Sequence, residues 1–252
     1  ESCKIPLRYY ENNIYGTVEL LKVMQEHGCF NLVFSSSATV YGDPASVPLR
    51  EDFPTSATNP YGRSKLMVEE ILRDLSKSDP RWAIVLLRYF NPVGAHESGL
   101  IGEDPNGIPN NLLPYISQVG VGKLKELGVF GNDYPTPDGT GVRDYIHVSD
   151  LIAAHVDALA YLRKGGGSGI FNCGYGKGYS VLEVIKAVER VNGAALSVTY
   201  GPRRAGDPAA IVAGAARVRE VLGWQPQYEN LDFIVETALN WELKLEQRNT
   251  TG

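Results

Sequence analysis

The stretch Asn31-Leu-Val-Phe-Ser-Ser-Ser37 decides the fold of this chain. Its apolar run is short and continuous, which is typical of a strand buried on both faces of a parallel sheet. Apolar residues at helical spacing precede it over 14–27. A second helix, predicted over 61–75, leads to a second buried strand over 82–87. Helix, strand, helix, strand is half of a doubly wound α/β fold.

The composition changes after Asn91, because residues 92–111 are dense in Gly, Pro and Asn and indicate a long functional loop. Beyond it we predict helices and two short strands: helices over 112–121, 150–162, 181–191, 214–222 and 231–246, and strands over 169–173 and 196–200. We assign residues 1–93 to the C-terminal part of a Rossmann-type domain. Residues 94–252 form mainly a smaller α/β substrate lobe, with 142–173 packing back on the sheet.

No glycine-rich GxGxxG turn follows a strand, and the glycines at 165–167 follow a helix instead. We therefore expect a doubly wound parallel sheet that is N-terminally incomplete. Its first strands and phosphate-binding turn would account for about 80–90 residues, at roughly 30 for each βαβ unit. Because such a sheet exposes unpaired edges, we expect the 252-residue chain alone to be inactive.

Charge and cysteine content exclude several classes of function. The net charge is −5 without a block of like charges, so neither nucleic acid nor an anionic membrane is an expected partner. No apolar run approaches the length of a transmembrane helix. Cys3, Cys29 and Cys173 form no CxxC pair, and the histidines lack metal-ligand spacing. We predict a cytoplasmic protein without a metal site.

The segment Tyr61-Gly-Arg-Ser-Lys65 pairs a phenol with an ammonium four residues on, hence on one face of a helix. A neighbouring cation favours the phenolate and lowers the tyrosine pKa, so Tyr61 is a candidate acid/base. In a chain with 14 tyrosines the spacing also arises by chance. Ser37 ends the first strand, where ligands of doubly wound sheets bind, although serines also end strands as turn formers. Ser37 and Tyr61 together are more specific than either alone.

Six segments resemble, in order, the signatures of the UDP-glucose 4-epimerase family of the extended short-chain dehydrogenase/reductase superfamily. They cover residues 34–42, 60–65, 88–94, 109–112, 139–148 and 203–207. The resemblance runs from Tyr9 to the terminal helix. It implies NAD-dependent interconversion of UDP-glucose and UDP-galactose, by oxidation at C4, rotation of the 4-keto sugar and re-reduction.

The resemblance also implies the role of each residue. Tyr61 takes the C4 hydroxyl proton, Lys65 binds the nicotinamide ribose, and Ser37 hydrogen-bonds the C4 oxygen. The cofactor-contacting positions are Asn13, Ser36, Ser37, Tyr61, Lys65 and Phe90. The substrate-contacting positions are Ser37, Tyr61, Asn91, Asn111, Phe130, Arg143, Arg204, Asp207 and Ile211. Structural alternatives are an internal Arg143–Asp144 ion pair and a solvated turn at 203–207.

Several alternatives stay open at this point. Segment 37–39 lacks the acidic pair of related dehydratases, which favours epimerisation over dehydration. Ile211 is intermediate in size at the position that gates the C2 substituent, so we expect partial tolerance of N-acetylated sugars. The rivals are an epimerase of UDP-N-acetylglucosamine or UDP-glucuronate, a nucleotide-sugar-binding protein without turnover, and a structural α/β domain with relic motifs. A homodimer through helices 14–27 and 61–75 is implied by the resemblance alone.

Overall fold

The computed structural model describes residues 1–109, 111–204 and 206–251, without the side chains of 249–251. The eight α-helices and nine strands in these residues are α1 (Pro6–Tyr10), α2 (Gly16–Glu26), β1 (Asn31–Ser37), α3 (Pro60–Ser78), β2 (Ala83–Tyr89), β3 (Asn91–Val93), α4 (Leu112–Gly120), β4 (Leu127–Phe130), β5 (Val142–His147), α5 (Val148–Arg163), β6 (Gly169–Cys173), β7 (Gly178–Ser180), α6 (Val181–Asn192), β8 (Val198–Gly201), β9 (Ala210–Ile211), α7 (Ala216–Leu222) and α8 (Leu231–Thr251). Two single turns add to them, a π-helical turn at Glu11–Tyr15 and a 3-10 turn at Ala38–Tyr41.

The chain divides into two compact units. The first comprises residues 1–90, 153–173 and 213–224, and the second comprises 91–152, 174–212 and 225–252. This division assigns residues 142–152 to the second unit, because β5 pairs with β3, β7 and β9 and not with the main sheet. Segment 213–224 joins the first unit, where α7 packs on β6.

The first unit is built on a parallel sheet of order β1-β2-β6. Strand β2 is buried except at its ends, which confirms the prediction of a two-sided core strand. The same prediction for β1 was wrong: Leu32, Val33 and Phe34 are only half-buried, because β1 is an edge strand in the described sheet. The main cluster of this core joins α2, α3 and β2 through Leu21, Val68, Leu72, Trp82, Ile84 and Leu86. The parallel α/β class predicted from the sequence is confirmed.

The second unit contains the short strands that the sequence pattern did not reveal. Strand β5 is parallel to β3 and β9 and antiparallel to β7, and β4 pairs in parallel with β8. Helices α4, α6 and α8 pack on one another. The capping box of Ser180 and Glu183 opens α6, as the sequence predicts. None of the helices in the described residues is long and apolar enough to span a membrane.

Candidate active site

The first turn of α3 carries the predicted acid/base. The Asn59 side chain caps the helix by accepting from the Gly62 N–H at 2.9 Å, and Pro60 occupies the first turn, which agrees with the sequence pattern. Tyr61 therefore starts the helix, and Lys65 follows one turn later on the same face. The Lys65 Nζ lies 5.9 Å from the centre of the Tyr61 ring.

Ser37 occupies the carboxyl end of β1, where the chain leaves the sheet for a 3-10 turn. Its Oγ accepts from the Thr39 N–H at 3.2 Å and from the Thr39 hydroxyl at 2.9 Å. The Ser37 hydroxyl also lies close enough to Tyr61 to lower the pKa of the phenol. The Ser37 hydroxyl therefore lies beside the Tyr61 phenol at the carboxyl end of β1. Doubly wound folds bind their ligands at this end of the parallel sheet.

The electrostatic balance at Tyr61 differs from the sequence-based expectation. Burial raises the pKa of the phenol, the neighbouring Ser37 hydroxyl lowers it, and the net result is a raised pKa. Desolvation of the phenol, which the four-residue spacing does not reveal, is the larger of the two effects. Burial has the opposite effect on Lys65 and lowers its pKa, because the charged form of lysine is the protonated one. The Lys65 Nζ donates to the Ser35 carbonyl at 2.9 Å.

The π-helical turn before α2 aims Asn13 at α3. The Asn13 Nδ2 donates to the Ser64 Oγ at 2.9 Å, and the Ser64 hydroxyl donates to the Tyr61 carbonyl at 2.7 Å. Single π turns inside helices are frequent at functional sites, because they turn side chains away from the regular helical face. Asn13 is thereby tied to the helix that carries Tyr61.

The structure also shows what surrounds the remaining predicted cofactor contacts. Ser36 is buried and its hydroxyl donates to the Glu69 carboxylate at 2.6 Å, so its side chain is directed at α3. Phe90 is buried directly after β2, and its N–H donates to the Cys173 carbonyl at 3.0 Å. Burial raises the pKa of neighbouring Tyr89 to about 12.

Sequence reasoning missed one buried group of this unit, the ion pair of Glu69 and Arg88. The guanidinium donates to the two carboxylate oxygens at 2.9 and 2.6 Å. A signal for it existed: Arg88 stands at the end of the apolar run Ile84-Val-Leu-Leu87, and a charge in a buried strand requires a partner.

The second unit brings together two of the predicted nucleotide-binding residues. Arg143 lies on β5, and its Nη2 donates to an Asp207 carboxylate oxygen at 2.9 Å. The alternative pair with Asp144 does not form, because Asp144 instead accepts from the N–H groups of Tyr175 and Gly176 at 2.9 and 2.8 Å. The Arg143 guanidinium therefore lies beside the half-exposed carboxylate of Asp207.

A second contact of this unit joins Phe130 and Arg204. Phe130 ends β4 and is 43% exposed, and the Arg204 guanidinium carbon lies 4.1 Å from its ring centre. Its neighbour Arg203 is held apart, since its Nε donates to Asp133 at 2.7 Å. Both arginines are exposed, so a solvated turn remains compatible with this segment, although each side chain has a partner.

The other predicted substrate contacts lie on or beside the same strands. Ile211 is buried on β9 and is the register partner of Arg143. Asn91 on β3 is the register partner of Tyr145 on β5. Asn111 occupies the cap position of α4, although its side chain makes no capping hydrogen bond. The structure thus places the hydride-transfer candidates in the first unit, and these nucleotide candidates in the second.

Residues 1–174 match the model of the NAD dependent epimerase/dehydratase family. The chain belongs to this family. A similar member is the UDP-glucose 4-epimerase of Bacillus subtilis, which is 54% identical over 242 residues. That match covers 96% of this chain and 71% of the relative.

Solved structures of family members superpose closely on the fold. UDP-glucose 4-epimerase of Bifidobacterium longum, in complex with NAD+ and UDP, has a TM-score of 0.92 and 55% identity, covering 97% of this chain and 72% of that one. The enzyme of Stenotrophomonas maltophila, with bound NAD and formylated UDP-arabinopyranose, has a TM-score of 0.96 and 49% identity, covering 98% and 74%.

The residues of the first unit fit the nicotinamide end of NAD. An ammonium, a phenol and a hydroxyl meet at the carboxyl ends of parallel strands, which is where dinucleotides bind in this class of fold. The described residues contain no group of three metal-ligating side chains, and their glycines form no phosphate-binding turn between a strand and a helix. The fit therefore concerns the nicotinamide and its ribose.

Proposed function

We propose that this chain carries the acid/base and UDP-binding residues of a UDP-glucose 4-epimerase, which interconverts UDP-glucose and UDP-galactose with NAD. The observation that carries the proposal is the placement of the Tyr61 phenol beside the Ser37 hydroxyl, with Lys65 one helical turn away. The 54% identity with a UDP-glucose 4-epimerase supports the substrate pair.

Tyr61 is the proposed acid/base for the C4 hydroxyl. Ser37 holds the C4 oxygen against the phenol, so the proton leaves and returns along one hydrogen bond. Lys65 would exchange its contact with the Ser35 carbonyl for the nicotinamide ribose, with Asn13 and Phe90 beside it. When bound, NAD+ supplies the hydride acceptor and a positive charge that favours the phenolate of Tyr61.

The second unit would hold the nucleotide while the 4-keto sugar turns over. Arg143 and Arg204 offer cationic donors to a pyrophosphate, and Asp207 offers a carboxylate to ribose hydroxyls. Phe130, Asn91 and Asn111 complete this proposed set. Holding the nucleotide and leaving the sugar free is what an epimerase requires, since both faces of C4 must meet the same hydride position.

The test is a measurement of turnover together with released NAD. The 252-residue chain is compared with a fusion that places the N-terminal segment of the Bacillus subtilis relative ahead of Glu1, because the chain covers 71% of that relative. We expect the fusion to release NAD on denaturation and to interconvert UDP-glucose and UDP-galactose. A substrate panel with UDP-N-acetylglucosamine and UDP-glucuronate separates the related epimerases. UDP binding without NAD or turnover in either protein would favour a nucleotide-sugar-binding protein.

We further propose a homodimer through α2 and α3. Leu20 and Val23 on α2 expose 52% and 50% of their surfaces, and Tyr15 in the π-helical turn before it exposes 62%. Exposed apolar groups of this size are typical of an interface. Light scattering should give twice the monomer mass, and Leu20→Glu should halve it. A monomeric wild-type protein at micromolar concentration would contradict this proposal.

A cytoplasmic location is proposed from the cysteines. Cys3 and Cys29 are exposed free thiols and Cys173 is a buried one, which suits a reducing compartment. Fractionation of the source cells with an antibody to the chain tests this location, and recovery in a secreted fraction would contradict it.

A further inference from the structure

The buried pair of Glu69 and Arg88 lies behind the Tyr61 site, and no step of the proposed reaction uses it. The two side chains are 0% and 2% exposed. Burying two charges costs solvation that their attraction only partly returns, so stability alone does not account for this pair. The contacts of this ion pair with α3, β1 and β2 indicate a further role.

Three residues of α3 contact three consecutive residues of β1. Positions 61, 65 and 69 share one helical face. Tyr61 lies beside Ser37, Lys65 Nζ donates to the Ser35 carbonyl, and the Ser36 hydroxyl donates to Glu69. Of these three contacts, the one between Ser36 and Glu69 joins two buried residues.

Arg88 extends the same series to the next strand. It is the register partner of Ser36, and it binds both oxygens of the Glu69 carboxylate. The guanidinium also lies 4.8 Å from the Tyr41 ring centre and donates to the Glu51 carbonyl at 3.4 Å. One carboxylate thereby fixes α3 against β1 and β2 at a single point.

The pair also sets the charge behind Lys65. Glu69 follows Lys65 by one helical turn, which is a rise of about 6 Å. Without Arg88, its carboxylate would attract the ammonium away from the ribose position and disfavour a phenolate at Tyr61. With Arg88 bound, the two charges cancel, and Lys65 remains the cation beside Tyr61, 5.9 Å from its ring centre.

We propose that Glu69 and Arg88 are positioning residues for the Tyr61 site, which hold α3 in register with β1 and keep the charge behind Lys65 neutral. The proposal rests on the proposed function of Tyr61, but the pair acts on Tyr61 whether or not the chain turns over substrate. Its test therefore measures the titration of Tyr61 directly.

The experiment follows the Cζ resonances of ¹³C-labelled tyrosine in the 252-residue chain as pH rises, with Tyr61→Phe to assign the signal. Arg88→Gln leaves the carboxylate unpaired and should raise the Tyr61 pKa. Glu69→Gln leaves the guanidinium unpaired and should lower it. A unit charge about 12 Å away at an effective dielectric of about 20 shifts a pKa by roughly half to one pH unit.

Two further variants separate charge from damage to the fold. The double variant Glu69→Gln/Arg88→Gln should return the Tyr61 pKa to within about 0.3 units of wild type, since both charges are gone. Ser36→Ala removes one hydrogen bond and keeps both charges, so it should leave this pKa unchanged. The neighbouring ionisable residues are identical in all variants: Lys65, Tyr9 and Tyr89 near Tyr61, and Arg73, Tyr41 and Glu51 near the pair.

Opposite shifts in the single variants that cancel in the double variant support the proposal. Shifts of the same sign, or none, overturn it. If the pair were purely structural, loss of either partner would change the Tyr61 pKa in the same direction. Should Arg88→Gln fail to fold, the isosteric Glu69→Gln and the double variant decide by the same rule. Loss of turnover with unchanged titration would argue against the pair's role and leave the proposed function intact.

Discussion

The two units hold their functional side chains in different ways. In the first, Tyr61 and Lys65 are partly buried, and the carboxylate that follows them on α3 is fully buried and paired. In the second, Arg143 pairs with an Asp207 whose side chain is 41% exposed, and Arg204 covers a Phe130 that is 43% exposed. Groups that move a proton are fixed by buried contacts, whereas groups that bind a nucleotide keep partners that water or ligand can replace.

The largest expected effect tests the first unit. Tyr61→Phe removes the proposed acid/base and should lower kcat by about 10²–10⁴-fold, the usual contribution of such a group. UDP affinity should stay within a few fold, because the change does not touch the second unit. Turnover of the fusion protein and calorimetry with UDP measure the two quantities. Tyr15→Phe, at an exposed tyrosine, is the matched control. Comparable turnover in both variants would exclude Tyr61 as the base.

A smaller effect tests the ion pair of the second unit. Arg143→Gln should weaken UDP binding by about 10–100-fold, since hydrogen bonds to charged groups contribute about 1.5–3 kcal/mol. Calorimetry with UDP on the 252-residue chain measures this without requiring turnover. Arg203→Gln is the control, because that side chain is held by Asp133. Equal losses in the two variants would remove the distinction between them.

The next effect concerns the sugar. We expect the wild-type fusion to epimerise UDP-N-acetylglucosamine measurably, and Ile211→Tyr to reduce that activity relative to UDP-glucose by about tenfold, the scale of a pocket change of a few atoms. The ratio of kcat/KM values for the two substrates is the measurement. Val212→Ala, at the residue that directly follows β9, should leave it unchanged. No wild-type turnover at saturating UDP-N-acetylglucosamine would refute the expected tolerance.

The smallest effect concerns the aromatic contact. Phe130→Leu removes the ring under Arg204 and should weaken UDP binding by about two- to fivefold, as expected for an exposed cation–π contact. Calorimetry under the conditions used for Arg143 makes the values comparable. Tyr200→Leu, an exposed aromatic on the paired strand β8, is the control. A loss larger than that of Arg143→Gln would invert the expected ranking.

The sequence predicted the long elements and failed on the short ones. The bounds of β6 were predicted as observed, and α3 and α4 differ by three residues or fewer at each end. Strands β3, β7 and β9 have two or three residues, which is too short for a period of two to be visible. Segment 142–147 lies among Gly-rich residues and was given no strand, although β5 is central to the second unit.

The candidate site was predicted in part, because spacing reveals which residues share a face but not how deeply they are buried. The four-residue spacing placed Tyr61 and Lys65 together correctly. It did not reveal that burial raises the pKa of Tyr61, or that Ser36 faces Glu69. Partners separated by many residues, such as Arg143 and Asp207, become visible only when the strands are paired.

The register of β9 against β5 has a consequence for how such a protein can diversify. Ile211 is paired across the strands with Arg143, so a side chain proposed to select the sugar and one proposed to hold the nucleotide share a single backbone pairing. A substitution that shifts β9 to admit a bulkier sugar also displaces the neighbouring guanidinium. New substrate preference should therefore arise together with altered nucleotide affinity, and compensating changes should be found on β5.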